Sequence, residues 1–284
     1  MEVLIKSIYE EPVNYDILVE NAKLSYKYSS MDIFSVLNSS LTDIKKKYIL
    51  NQLVLVVPSR FPQGYNMQIT MSDDLTESLY SLNLDWDYVE KYIKDLSCLS
   101  LISNLQRLSL LYLEITSFGL SKLLNLEELY LSELYMITSL SDIPPNIKKL
   151  TIKGCREINN ENLGELSKYT LLEELTLKSL NITNIDFLNI PNLKKVNIES
   201  CHDIVNTDNL SLISSLEVIE ISHCYKLQTI KIENLPNLQN LKIWSTKSTT
   251  LQLTNLPKIN KFESISNHLL ENIKIVNCPE LSDN

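Results

Sequence analysis

The sequence predicts an α/β solenoid: a stack of short turns, each giving one strand to a continuous parallel sheet, with a helical segment over its N-terminus. Three observations predict it. The first is a spacing of an apolar residue, two free positions, an apolar residue, one free position and an apolar residue. It recurs at Leu105-Leu108-Leu110, Leu126-Leu129-Leu131, Ile147-Leu150-Ile152, Leu172-Leu175-Leu177, Leu193-Val196-Ile198, Leu216-Ile219-Ile221 and Leu238-Leu241-Ile243. The second is the period, since first positions follow one another at 21, 21, 25, 21, 23 and 22 residues. A steady period of this size marks stacked repeats rather than a compact globule. The third is composition. The 284 residues are 44 % hydrophobic, and only 4 Gly and 9 Pro occur, which leaves little room for a long flexible linker.

Taken in order, residues 1–49 stand outside the repeat. Asn14 suits a helix cap before Ile17, Leu18 and Leu24, and Ser30 suits a second before Ile33, Phe34 and Leu37. Thr42 suits a third before Ile44 and Ile49, with Asp43 in the first turn, where the helix dipole favours an acid. A solenoid needs its apolar end closed, so this segment is expected to cap the first turn. Residues 50–284 form the repeat domain of about ten repeats. It begins with a degenerate Leu50-Leu53-Leu55, a loop with Pro62 and Gly64, and then Leu79-Leu82-Leu84. Helical spacing of Val89, Tyr92, Ile93, Leu96 and Leu99 predicts a helix within 87–102.

The 25-residue repeat has room for a short helix at Asn160-Leu163-Leu166, whereas the others allow only extended or 3₁₀ segments on their backs. Asn-Leu or Pro-Asn-Leu announces many strands, as at Asn125, Asn192 and Asn237. Late in the chain a second strand-like piece appears. Ile230-Ile232-Leu235-Pro236 is echoed by Leu251-Leu253-Leu256-Pro257, and a last repeat is read at Leu270-Ile273-Ile275-Cys278-Leu281. Its register after Lys258 is open from sequence, because it starts only 11 residues after Ile259.

These residues resemble the leucine-rich repeat superfamily, over roughly 50 to 281. The ninth position completes the match with Leu134, Leu180, Cys155, Cys201, Cys224 and Cys278, and Ile or Leu follows three places on at Ile137, Ile158, Ile204, Leu227 and Leu281. In this it is similar to the cysteine-containing subtype. The resemblance implies an arc or horseshoe with the parallel sheet on its concave face, acting in protein–protein interaction. It also carries two alternatives: a substrate-recognition adaptor of a ubiquitin ligase, or a host-directed effector that inhibits a target enzyme. An F-box opens on a Leu-Pro pair before its first helix, and this chain has none.

Charge and motifs narrow the function classes. The net charge is −9, the charges alternate, and the basic footprint of a nucleic-acid binder is missing. No apolar run approaches the roughly 18 residues a membrane helix needs. Met1 to Lys6 lack a basic region followed by an apolar stretch, so the expected place is the cytoplasm, or a host cytoplasm after delivery. Five cysteines without a signal peptide argue against a disulfide framework. We find no phosphate-cradling glycine loop, nucleophile elbow or zinc-protease motif. The expectation is a chain with no enzymatic activity, no cofactor and no metal, monomeric on its own, whose partner is a protein.

The candidate binding face follows from alternation along each strand. Counting the first apolar residue as one, the fifth positions read Asn83, Ser109, Tyr130, Thr151, Thr176, Asn197, Glu220, Lys242, Glu263 and Lys274. The seventh read Asp85, Leu111, Ser132, Lys153, Lys178, Glu199, Ser222, Trp244, Ile265 and Val276. Trp244 and Tyr130 are the expected anchors, because Trp and Tyr dominate interface hot spots. Leu111, Lys153, Lys178, Glu220 and Lys242 complete the candidate site. Trp86, just outside a strand, is expected under the neighbouring helix. In the third position Glu128, Lys149, Glu174 and Lys195 alternate in sign, an arrangement that suits strand register. Cys201 and Cys224 are expected to point inward, with His202 and His223 outward.

Overall fold

The computed structural model describes residues 81–85, 96, 99–100, 104–186 and 190–281. The expected cap over 1–49, the first degenerate repeat, Trp86 and most of the helix read within 87–102 lie outside them. Each apolar spacing becomes a five-residue strand: β1 (Ser81–Asp85), β2 (Arg107–Leu111), β3 (Glu128–Ser132), β4 (Lys149–Lys153), β5 (Glu174–Lys178), β6 (Lys195–Glu199) and β7 (Val218–Ser222). The stack continues with β8 (Thr229–Glu233), β9 (Asn240–Trp244), β10 (Thr250–Thr254), β11 (Lys261–Ile265) and β12 (Asn272–Val276).

Nine strands form one parallel sheet in the order β1-β2-β3-β4-β5-β6-β7-β9-β11. Its register puts equal repeat positions side by side: Leu108 pairs Leu129, Leu129 pairs Leu150, and so on to Leu241 against Phe262. Successive turns therefore bury Leu on Leu and Ile on Ile, and one apolar core runs the length of the stack from Leu96 to Cys278. A fully buried Leu or Ile contributes about 1.5–3 kcal/mol, and each sits chiefly against the turns on either side.

The late second strand of each turn builds a separate sheet. β8, β10 and β12 pair in parallel at the back. This settles the open register: Leu270-Ile273-Ile275 is the back strand of the turn that begins at Ile259, not a further turn of the long sheet. Lys274 and Val276 consequently leave the fifth and seventh columns of the inner face. They stand on β12 beside Gln252 and Thr254 of β10. At this end of the stack Ile273 and Ile275 are exposed.

The back sheet needs an edge on the side of β7's turn, where no strand precedes β8. Thr207 takes that place. Its hydroxyl accepts from the Lys231 amide at 2.9 Å and donates to the Lys231 carbonyl at 3.2 Å. Ser211, in the 3₁₀ turn Asp208–Leu212, accepts from the Glu233 amide at 3.0 Å. Two hydroxyls thus occupy the ladder positions that a neighbouring strand would fill.

The longest turn carries α1 (Asn160–Gly164), as its extra length predicts. Asn159 caps it, accepting from the amides of Glu161 and Asn162 while the Asn162 side chain returns to the Asn159 amide, so the orphan donors of the helix start are met. A 3₁₀ turn, Glu165–Lys168, follows and delivers Tyr169 into the core.

Three side-chain rules keep the turns in step. The residue after each front strand from β2 to β11 adopts positive φ, from Tyr112 (φ 56) and Glu133 (φ 55) to Ser245 (φ 49) and Ser266 (φ 56). There the chain leaves the sheet sharply while its amide still bonds the next turn, as from Tyr112 to the Ser132 carbonyl at 2.9 Å. Only Gly154 spares this column the left-handed strain of a side chain, and a Cβ there would meet the Glu133 carboxylate. The asparagines that announce strands have a mechanical reason: Asn146, Asn192 and Asn237 donate to the carbonyls of Leu124, Thr170 and Ser214 one turn back. Behind the second sheet, Asn277 donates to Asn255 and Asn255 to Asn234, each at 2.8 Å.

The third rule concerns cysteine. Cys155, Cys201 and Cys224 are buried free thiols, and each donates to the carbonyl two residues earlier, those of Lys153, Glu199 and Ser222. Burial pushes the thiols of Cys155 and Cys201 up to about 11 and that of Cys224 up to about 12. In an unfolded chain a thiol titrates near about 8.5, so above that pH the folded state binds more protons than the unfolded one and stability falls. The melting temperature followed by circular dichroism is expected to hold from neutral pH to about 8.5 and to decline from there toward pH 11–12. Replacing the three cysteines by Ala is expected to flatten that decline, leaving the part contributed by buried Tyr169, whose hydroxyl is also pushed up by burial. An equally steep decline in the variant would sink this account.

Candidate functional site

The pleat places every second residue of the nine-stranded sheet on its open face. The register aligns the predicted columns over the described turns: Ser109 with Tyr130, Tyr130 with Thr151, Glu220 with Lys242 and Lys242 with Glu263 in the fifth. In the seventh, Leu111 stands beside Ser132, Lys153 beside Lys178, Glu199 beside Ser222 and Trp244 beside Ile265. The candidate residues therefore share one face, but not one spot. Leu111 and Tyr130 lie at β2 and β3, Lys153 and Lys178 at β4 and β5, and Glu220, Lys242 and Trp244 at β7 and β9.

Most of this face is polar or ion-paired. Arg107 meets Glu128 and Lys149 meets Glu174, both at 3.0 Å, while Lys195 turns diagonally to Glu220 at 3.3 Å. A parallel rung just before the strands, not seen in the sequence, links Lys148 to Glu127 and Lys194 to Glu173. Exposed pairs of this kind contribute about 0–1 kcal/mol each, and they serve register more than stability.

Two places break the pattern. At β9, Trp244 is 39 % exposed and its in-register neighbour Ile265 is 51 % exposed. The Lys242 ammonium lies 5.6 Å from the Trp244 ring centre and 4.0 Å from the Glu263 carboxylate. Beside them a depression of about 150 Å³ opens, lined by Asn197, Glu199, Glu220, His223, Lys242 and Trp244 among others. At β4, Lys153 stands in register with Lys178. Lys178 is held by Glu199 at 2.5 Å, whereas the Lys153 ammonium has no ion pair among the described residues.

The turn beyond the strands carries groups that alternation along the strands did not single out. His202 stacks on Tyr225 with ring centres 4.8 Å apart, and its Nδ1 lies 2.8 Å from the His223 carbonyl. The Lys247 ammonium approaches the Tyr225 ring at 5.8 Å, and the Arg156 guanidinium approaches the Tyr135 ring at 5.2 Å. Each of these residues follows the ninth position of its turn, a column that alternation within the strands does not reach. The thiols of Cys201 and Cys224 point into the core with His202 exposed on the outside, and no metal-sized cluster of His, Cys, Asp or Glu forms among the described residues.

A larger groove of about 1040 Å³ lies over the turns behind the second sheet, along Pro236, Pro257 and Pro279. Its lining contains no charged side chain. No helix of the described residues is long and apolar enough to cross a membrane.

No protein-family model and no curated protein sequence matches this chain. Among solved structures it is similar to mouse RP105 in its complex with MD-1, at 18 % identity and a TM-score of 0.44, over 70 % of this chain and 42 % of that one. It is similar to an internalin, InlF of Listeria monocytogenes, at 18 % identity and a TM-score of 0.41, over 72 % of this chain and 75 % of that one. A third, InlJ of Listeria monocytogenes, whose functional domain includes a cysteine ladder, matches at 14 % identity and a TM-score of 0.35, over 74 % of this chain and 49 % of that one. The chain thus spans less than half of the RP105 chain. The recurring apolar spacing and the parallel sheet to which each front strand adds one member make the described residues a parallel-sheet solenoid of stacked turns.

Proposed function

We propose that the chain is a protein-interaction module that holds a protein partner on the open face of its nine-stranded sheet and performs no catalysis. The observation that carries this reading is Trp244 with Ile265, exposed side by side on a sheet whose other outward groups are mostly polar or ion-paired. Large aromatic side chains exposed on a rigid surface supply contact area at low entropic cost, and Trp and Tyr lead the residues that dominate binding energy. Tyr130, Leu111, Lys153, Lys178, Glu220 and Lys242 lie on the same face and complete the proposed footprint. Residues 1–49 would close the first turn of the repeat domain. We place the chain in the cytoplasm, where buried thiols such as Cys155, Cys201 and Cys224 stay reduced.

The test is a comparison of the whole chain with Trp244→Ala. Partners labelled by proximity in the native cell are purified and titrated against both proteins. The variant is expected to fold with an unchanged far-ultraviolet spectrum, because the ring is outside the core, and to bind at least about thirtyfold more weakly, the loss of a 2 kcal/mol hot spot. Equal affinity would remove Trp244 from the site. A partner indifferent to Trp244→Ala, Tyr130→Ala and Lys153→Met alike would overturn the face.

A further inference from the structure

The seventh-position column places one residue per strand along the stack, with Ser132 and Ser222 buried between more exposed neighbours, and its chemistry changes along its length. It opens on Leu111, passes Ser132 to Lys153 and Lys178, and continues through Glu199 and Ser222 to Trp244 and Ile265. Both ends are apolar and the middle is cationic. Like charges in register on neighbouring strands are unfavourable, yet Lys153 and Lys178 occupy such a pair. Lys178 is compensated by Glu199, and Lys153 is not compensated by any described residue. Glu133, just after β3, lies over Gly154 and accepts from the Tyr135 hydroxyl at 2.9 Å. The face is therefore short of one negative charge at a defined place.

We propose that this column takes an extended acidic segment of the partner, laid across the strands. One Asp or Glu carboxylate would sit between Lys153 and Lys178, with apolar side chains at either end against Leu111 and against Trp244 with Ile265. The inference rests on the sheet face being the binding surface. A polyanion such as a nucleic acid fits poorly, since Glu128, Glu174, Glu199 and Glu220 flank the two lysines on the same face; a single carboxylate meets the deficit.

Strand spacing turns the column into a ruler. Neighbouring strands lie about 4.8 Å apart and an extended chain advances about 3.3 Å per residue. The midpoint of Lys153 and Lys178 is two and a half steps from Leu111, about 12 Å, or about four residues of the bound segment. It is three and a half steps from Trp244, about 17 Å, or about five residues. The segment recognised would read apolar, acid about four positions on, and apolar or aromatic about five positions further, in either chain direction.

The test is selection of a phage-displayed random peptide library, about 15 residues long so as to cover the roughly 34 Å from Leu111 to Ile265, on the immobilised 284-residue chain. Selected peptides are synthesised and titrated by fluorescence anisotropy against the wild type, Lys153→Met and Trp244→Ala. Peptides lost with Trp244→Ala are expected to share an acidic residue at the ruler's spacing and to bind Lys153→Met about tenfold more weakly, the usual worth of a hydrogen bond to a charged group. Replacing that acid by its amide should cost as much in the wild type and nothing further in Lys153→Met. Peptides that depend on Trp244 but carry no acid and ignore Lys153→Met would overturn the carboxylate assignment while leaving the face intact. Peptides indifferent to both substitutions would overturn the face as well, and a library yielding no binder would overturn the extended segment.

Discussion

Tyr169→Ala is expected to cost about 3–5 kcal/mol of stability, the range for removing a large aromatic from a packed core. The reason begins with the repeat lengths. The turn between β4 and β5 is the longest of the seven regular ones, at 25 residues, and its additional residues form α1 and a 3₁₀ turn on the back of the stack. A longer perimeter encloses more space, which Leu alone does not fill. Tyr169 fills it, and it is among the largest side chains that the core buries. Its hydroxyl donates to the carbonyls of Leu140 at 2.5 Å and Ile143 at 3.2 Å, so it also satisfies the end of the preceding turn. Tyr169→Phe keeps the ring, takes the hydroxyl from the Ile143 carbonyl and leaves the Leu140 carbonyl to the Ile143 amide alone, and should cost about 1–2 kcal/mol. Urea unfolding followed by circular dichroism reads both. Hydrogen exchange should place the loosened amides in β4 and β5, because each turn is coupled mainly to its neighbours. A loss below 1 kcal/mol for the Ala variant would mean that the turn collapses without the ring.

Thr207→Val is expected to cost about 2–4 kcal/mol, as the isosteric loss of two backbone partners at one site. Thr207 is 1 % exposed, and its hydroxyl both accepts from and donates to the backbone of Lys231. Val has the same shape, so packing is kept while the Lys231 amide and carbonyl lose their mate. The effect should extend to β8 and β10, since β8 is the strand on which the back sheet is founded. Exchange of the β8 amides should rise well above that of β7, which is held in the front sheet by β6 and β9. Thr207→Ser restores the hydroxyl and should recover most of the loss. If Val and Ser behave alike, the hydroxyl is not what secures the edge.

Residues with a fixed repeat position were legible from sequence. The front strands, most of the columns on their open face, the helix in the long turn and the inward cysteines follow from counting along a steady period, whereas Ser132 and Ser222 of the seventh column are buried. The counting failed where two strands share one turn. Leu270, Ile273 and Ile275 carry the apolar spacing of a front strand and form a back one, because that spacing records burial on one side and is blind to which wall of the turn supplies it. For the same reason the count puts Lys274 and Val276 on the front sheet, whereas they stand on the back one. Thr207 carries no sequence signal: a lone threonine in a loop has no period, and its role exists only once β8 lies beside it. The ring stack of His202 on Tyr225 carries none either, since the two are 23 residues apart and meet only through the stacking of turns.

The founding of a back sheet at β8 has a consequence for the shape of the inner wall. Turns splay when their backs need more room than their fronts. A helix is about 10 Å across and front strands are about 4.8 Å apart, so α1 should open the stack where it lies on the back. From β8 onward both walls carry strands at one pitch, and little angle should accumulate from turn to turn. On this argument Leu111, Lys153 and Lys178 are expected in a cupped half, and Trp244 and Ile265 on a more planar one. A ligand that touches both halves must be bowed along one part of its length and level along the other.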